Sequence, residues 1–328
     1  MPNQTFFAER THPSYMRTIK ADSTKRLATN EPKRLRLAYA AWLAVCFFWG
    51  AGYLAIRVGV RTMPPMLFVG LRILAAGAIL FGVLVATRRA VLPRRSDWVR
   101  LGIIGVLTET VSNGVLSWSG QWLTSGLMSL LSAMAPFWMV GIEAATREGE
   151  RLTARTAFAV LFGFGGLVAL VEPSLRNVAV APKELVGCAL IQVVCASYAL
   201  GSVYTKRVRV DVSPLMNAAV QMIVGGAVLT LVGTGFGEWG RFDADRDALA
   251  AFGYLLVFGS LVGYSSYVYA LRTLPIAFVA LHRYINPAVA VFLGWLILSE
   301  PLSSRTAFAV ALIAVGVALV PRRGDKRA

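Results

Sequence analysis

Apolar residues along this chain come in long runs, each bounded by charges or turn residues. A bilayer core about 30 Å thick asks roughly 20 mostly apolar residues of a crossing helix. Ten runs meet that length: Leu37–Arg57, Met66–Ala86, Trp98–Trp118, Thr124–Ala145, Thr156–Val171, Leu185–Thr205, Pro214–Gly235, Ala248–Ala270, Ile276–Leu298 and Arg305–Val320. The pattern predicts an all-α integral membrane protein with ten transmembrane helices.

The fifth and tenth runs open on the same hexapeptide, RTAFAV, at Arg155–Val160 and Arg305–Val310, an offset of 150 residues. Other positions align at that offset. Ile56–Met66 matches Lys206–Met216, placing Arg57 on Arg207, Pro64 on Pro214 and Met66 on Met216, while Glu150 falls on Glu300 and Leu152 on Leu302. With a slip of one residue, Pro136 falls on Pro287. The chain therefore reads as a duplicated unit, 37–172 and 185–321, between a basic tail at 1–36 expected to be disordered and a basic C-terminus at 322–328. Each unit holds five spans. An odd number leaves the membrane on the side opposite its entry, so the second copy is expected upside down relative to the first. Two inverted copies can exchange conformations and open a central site to one side and then the other. In the turns GERLTAR and SEPLSSR, Thr153 and Ser303 or Ser304 stand where a helix N-cap is expected, with Glu150 and Glu300 nearby.

Composition agrees with a membrane location: 56% of residues are hydrophobic, 15% are charged, and the mean hydropathy is +0.62. A formal net charge of +16 would suggest a nucleic-acid partner in a soluble domain. Its distribution argues otherwise. With both termini cytoplasmic, 23 of the 33 Lys and Arg residues fall on the inner side and 7 on the outer, with Arg72, Arg100 and Arg283 inside spans. The positive-inside rule thus orients a multi-pass protein of the cytoplasmic membrane and accounts for its basicity, with the lipid bilayer rather than nucleic acid as partner. Cys46, Cys188 and Cys195 lie within spans and read as packing residues; without a nearby His or third Cys, the pair Cys188 and Cys195 makes a poor metal site, and no metal is expected.

The stretches FFWGAGYLAIRVGVRTMPPMLFVGLRILAAGAIL, GLMSLLSAMAPFWMVGIEAATREGERLTARTAFAVLFGFGGLVALV and INPAVAVFLGWLILSEPLSSRTAFAVALIAVGVALVP resemble the EamA-type branch of the drug/metabolite transporter superfamily. The likeness covers essentially Ala40–Pro321. It implies ten helices, cytoplasmic termini, and a central cavity lined mainly by spans 1, 3, 4, 6, 8 and 9. Members of that branch move different small metabolites, so the resemblance implies the fold and leaves the substrate open.

A polar side chain inside a span is costly unless paired or wetted, which makes such residues site candidates. Glu109, Ser112 and Asn113 stand at i, i+3 and i+4 of span 3, one face of a regular helix. Counting 1.5 Å per residue from Trp98, Glu109 lies about 16 Å deep, near the midplane. A carboxylate there is expected to pair with Arg283 or Arg72, or to hold a proton. His282 and Asn286 share a face of span 9 beside Arg283. Trp49, Tyr198, Tyr264 and Tyr267 suit either packing or an aromatic-lined cavity. Arg72 is a structural charge candidate, and the resembled family also tends to have a basic residue there. Pro136 and Pro287 each remove a backbone hydrogen bond mid-helix, making them candidate gates or static kinks.

No nucleotide-hydrolysis motif accompanies these residues; the glycines of GFGG and GTGFG lack the context of a phosphate loop. The reading is a secondary transporter of small organic metabolites, amino acids or related compounds foremost and export favoured, coupled to protons or to an exchanged metabolite and needing no cofactor. A passive channel or a membrane-embedded sensor are the other classes the pattern leaves open. An integral-membrane enzyme lacks support, because the chain has two histidines and no His/Asp or Ser/His grouping.

Overall fold

The structure is a computed structural model that describes residues 13–88, 91–145, 182–208, 210–279 and 281–301, with isolated positions at 158, 161, 162, 165, 304, 308, 311, 312 and 315. All regular structure among the described residues is helical. Helix α1 runs Pro13–Gly59, α2 Pro65–Ala86, α3 Arg95–Ser119, α4 Ser125–Ala144, α5 Pro182–Arg207, α6 Pro214–Gly235 and α7 Arg246–Thr273; a single turn, α8 (Ile276–Val279), then precedes α9 (His282–Leu298). Seven of these, α1 to α7, hold a stretch long and apolar enough to cross a membrane, which in α1 is Lys33–Gly59.

Local chemistry sets the helix starts. Pro65 and Pro214 occupy first helical positions, where the missing N–H costs nothing. Thr124, Ser213 and Asp245 cap α4, α6 and α7, their side chains accepting from Leu127 N (3.2 Å), Met216 N (3.2 Å) and Ala248 N (2.7 Å).

Three expectations need correction. The tail expected to be disordered to residue 36 is helical from Pro13: neither Gly nor Pro occurs at 14–31, and Pro32 is the one helix-breaking residue before the apolar stretch that starts at Lys33. Span 9 was read as continuous, whereas α8 ends at Val279 and α9 begins at His282. Glu300 was placed at the cap of its own following helix. Instead, its carboxylate accepts from Ser125 N (2.9 Å), Ser125 Oγ (2.7 Å) and Gly126 N (3.3 Å) at the start of α4. Spans 5 and 10 as continuous elements, and the cap positions Thr153 and Ser303 with Glu150, lie outside the described residues.

Glu238, which no sequence signal singles out, does for α2 what Glu300 does for α4, accepting from Leu67 N (2.8 Å) and Met66 N (3.4 Å). A carboxylate at a helix N-terminus both satisfies orphan donors and complements the helix dipole. Glu300→Ala should therefore cost about 1–2 kcal/mol, read as a lower melting midpoint of the purified protein, while Glu300→Gln should recover part of it by restoring an acceptor. An unchanged midpoint in the Ala variant would remove the capping role.

The tightest packing joins α2 to α6. A Cβ on Gly226 would clash with Leu74 N, one on Gly70 would lie 2.7 Å from Thr230 N, and one on Gly77 2.8 Å from Ile223 N. Backbone meets backbone along this antiparallel seam, where small residues let two membrane helices approach.

Candidate functional site

Two helices widen to a π-helical turn near their middles: α3 over Val106–Val111 and α7 over Leu255–Val262. A π-turn shifts hydrogen bonds from i+4 to i+5 and frees carbonyls that a regular helix would consume, a departure that often marks functional sites. Side chains collect those carbonyls here. In α3, Leu107 O accepts from Ser112 Oγ (2.9 Å) and from Ser197 Oγ of α5 (2.8 Å), and Thr108 O accepts from Asn113 Nδ2 (3.2 Å). In α7, Gly259 O accepts from Trp49 Nε1 of α1 (3.0 Å), and Leu255 O lies 3.5 Å from Arg72 Nη1 of α2. The two turns thereby tie α1, α2 and α5 to α3 and α7.

Between these helices lies a cavity of about 340 Å³. That is within the usual size of a small-molecule site. Trp49, Arg72, Glu109, Asn113, Pro136, Tyr198, Tyr264, His282, Arg283, Asn286 and Pro287 all reach its wall. Tyr267 stands behind that wall, its ring 5.1 Å from Trp49 and 5.6 Å from His282. The sequence reading passed over Ser129 and Ser132 of α4, which also line the space. Their signal was their spacing of three on the turn before Pro136.

Of the expectations for Glu109, contact pairing with Arg72 or Arg283 is the one the structure departs from: among the described residues Glu109 makes no ion pair within 4 Å, and the salt bridges lie elsewhere, at Arg100–Asp97 and Lys206–Glu143. Its carboxylate accepts from Asn113 Nδ2 at 3.0 Å, and Arg72 is the cation whose charge it feels across the cavity. Arg72 itself donates to Ser260 Oγ at 2.9 Å, within the α7 π-turn, and its Nε has no partner. Arg283 donates through Nη2 to the Tyr198 hydroxyl (3.0 Å) and lies 5.3 Å from the centre of that ring. The physical reason for the change is local supply: the π-turn of α7 brings Ser260 and Leu255 O to Arg72, and Asn113, one turn on from Glu109, donates to its carboxylate, so neither charge has the other at contact distance.

His282 is buried, with Nδ1 2.8 Å from Val279 O at the break between α8 and α9. The Asn286 amide faces His282 O and Cys46 O, and with its nitrogen turned toward them, the orientation that satisfies both carbonyls, it donates at 2.8 Å and 3.1 Å and binds α9 to α1. The two prolines differ in setting. Pro136 follows a break in α4 between Ser132 and Ala135, whereas Pro287 sits inside α9. At that break Leu131 O and Ser132 O face Cys195 Sγ of α5 at 3.5 Å and 3.8 Å, a weak substitute for the helical bonds.

The model of the EamA-like transporter family matches the chain twice, over residues 36–171 and 185–321. The chain belongs to the EamA-like transporter family. Among its relatives in that family, the uncharacterized inner membrane transporter YedA of Escherichia coli (strain K12) is 30% identical over 88% of this chain and 92% of its own length. An uncharacterized transporter of Archaeoglobus fulgidus is 25% identical over 84% of this chain and 95% of its own length. The S-adenosylmethionine/S-adenosylhomocysteine transporter of Chlamydia trachomatis is 25% identical over 84% of this chain and 86% of its own length. A solved crystal structure superimposes with a TM-score of 0.60 at 20% identity, covering 86% of this chain and 95% of that one, a likeness of fold. These EamA relatives are transporters by name rather than enzymes, and with the apolar helices they make this chain a multi-pass membrane transport protein.

Proposed function

We propose that the chain is a secondary transporter that carries small organic metabolites across the cytoplasmic membrane by alternating access, amino acids or related compounds foremost and outward. The observation that carries this reading is the cavity between the helices, mostly apolar but with Arg72, Glu109, Asn113, His282 and Arg283 on its wall, to which α1, α2, α3, α4, α5, α6, α7 and α9 all contribute. Two inverted five-helix units, 37–172 and 185–321, are the device that opens it to either side.

Packing supports the inversion. In the seam between α2 and α6, Gly70 meets Thr230, Leu74 meets Gly226 and Gly77 meets Ile223, so the numbers of each pair add to 300. With copies offset by 150, a twofold axis in the membrane plane maps every such pair onto another pair with the same sum. The seam is then its own image, as a helix pair lying on the axis must be. The π-turns agree: shifted by 150, Val106–Val111 falls within Leu255–Val262. The two family matches, of nearly equal length, agree as well.

Orientation is checked by cysteine labelling from intact cells. With both termini cytoplasmic, Asp211→Cys should resist an impermeant maleimide and Asp243→Cys, in the loop after α6, should react. The reverse pattern overturns the topology.

The proline positions carry a second expectation. Ala at Pro136 or Pro287 should slow transport several-fold with substrate affinity largely kept, because a restored helical hydrogen bond alters exchange between states more than the site. Unchanged rates in both variants would leave them as static kinks.

A further inference from the structure

Of the acidic and basic side chains, those on the cavity wall are Arg72, Glu109, His282 and Arg283, so two guanidinium groups face one carboxylate. Arg72 bonds Ser260 and shares the field of Glu109, with its Nε unpartnered among the described residues. Arg283 has no carboxylate in its field. A guanidinium has five N–H donors in a planar fork. The structure gives Arg283 one hydrogen bond, to the Tyr198 hydroxyl. The groups within electrostatic reach of it are Tyr53, Tyr198, Tyr267, Cys195 and His282, which supply no carboxylate. No described Asp or Glu lies within 4 Å of it; the described ion pairs are those of Arg100 and Lys206.

A cation held at this depth without an anion is unfavourable, and such residues in transporters mark the path of a charged ligand. The planar fork matches a carboxylate through two parallel N–H···O bonds. We propose that Arg283 is the docking point for a carboxylate on the transported compound. This deepens the transport reading and rests on it. The remaining wall defines the rest of the ligand. Trp49, Tyr53, Tyr198 and Tyr264 offer ring faces to an apolar or aromatic body, and the Glu109–Asn113 pair of α3 offers acceptors to an ammonium. The substrate class is thus a small organic acid of amino-acid size, with or without its amino group.

The test uses the purified full chain and a fixed probe set: the twenty proteinogenic amino acids, their 2-oxo acids and their carboxamides. Melting midpoints are read first, since a ligand that binds the folded state raises them. At least one acid should raise the midpoint while its carboxamide does not. Arg283→Gln should weaken that acid at least ~10-fold with an unliganded melt near wild type, and Arg283→Lys should fall between, because it keeps the charge and loses the fork. If Arg283→Gln does not fold, the Lys variant and the acid-to-carboxamide ratio in wild type decide. Carboxamides as effective as acids, no acid that binds, or full affinity in the substituted protein would overturn the assignment. Exchange of the same probes in proteoliposomes separates the two readings. Exchange without preference for acids removes carboxylate docking and leaves transport standing; Arg283-dependent acid binding without exchange leaves docking and removes transport.

Discussion

Gly226→Ala should leave little folded protein. The added Cβ would clash with Leu74 N and stand 2.8 Å from Leu74 Cα and 3.0 Å from Gly70 O, all backbone atoms that cannot rotate aside. Relief requires α2 and α6 to separate along their whole seam, which also displaces Arg72 on α2 and Met222 on α6 from the cavity wall. Overpacking in a close-packed interior costs typically 1–3 kcal/mol, and a backbone clash belongs at the upper end, about 3 kcal/mol. The measurement is the monodisperse fraction after detergent extraction, with the melting midpoint of whatever survives. Gly82→Ala is the control on the partner helix α2, because nothing lies within 4 Å of its Cβ position and alanine favours a helix. Equal behaviour of the two variants would contradict the seam.

Glu109→Gln should remain folded and lose transport, the initial rate falling about 10- to 100-fold, the worth of one charged hydrogen bond in the transport step. The carboxylate is held by Asn113 at 3.0 Å in a π-turn that faces the cavity, with no ion pair to satisfy it. If the group only balanced Arg72 as a brace, removing it would strand a buried cation and lower stability, and adding Arg72→Gln would recover much of the loss. If it serves the substrate or a coupling proton, no change at Arg72 restores the rate. A well-folded Glu109→Gln protein with wild-type transport between about pH 5.5 and 8 would eliminate the functional role.

The helices were legible because a bilayer imposes a length that apolar runs advertise directly. The proposed pairing of units was visible in the RTAFAV repeat and in the prolines that open α2 and α6, since Pro and Gly punctuate helices with little help from tertiary context. Two features were not legible. The π-turns at Val106–Val111 and Leu255–Val262 have no periodic signature, because one extra residue in a single turn leaves no mark in so short a run, mixed as in VLTETV or almost wholly apolar as in LLVFGSLV. The partners of Arg72 follow from the second turn, and Tyr198, the partner of Arg283, lies on another helix, so spacing named the charged residues and placed Asn113 beside Glu109 but could not supply the contacts between helices. Glu238 and Glu300 were illegible for another reason. Each caps a helix more than 170 residues away in sequence, with hydrogen bonds reaching from Glu238 to Leu67 and from Glu300 to Ser125.

The central claim is that a carrier exchanges its substrate through this cavity, and counterflow tests it most directly. Proteoliposomes are preloaded with the unlabelled acid that gives the largest thermal stabilisation, diluted, and offered a trace of the same compound in labelled form. A carrier should accumulate label transiently above its equilibrium level, and Glu109→Gln should suppress that overshoot. Label that merely equilibrates without overshoot, or that is recovered as a different compound, would contradict the account.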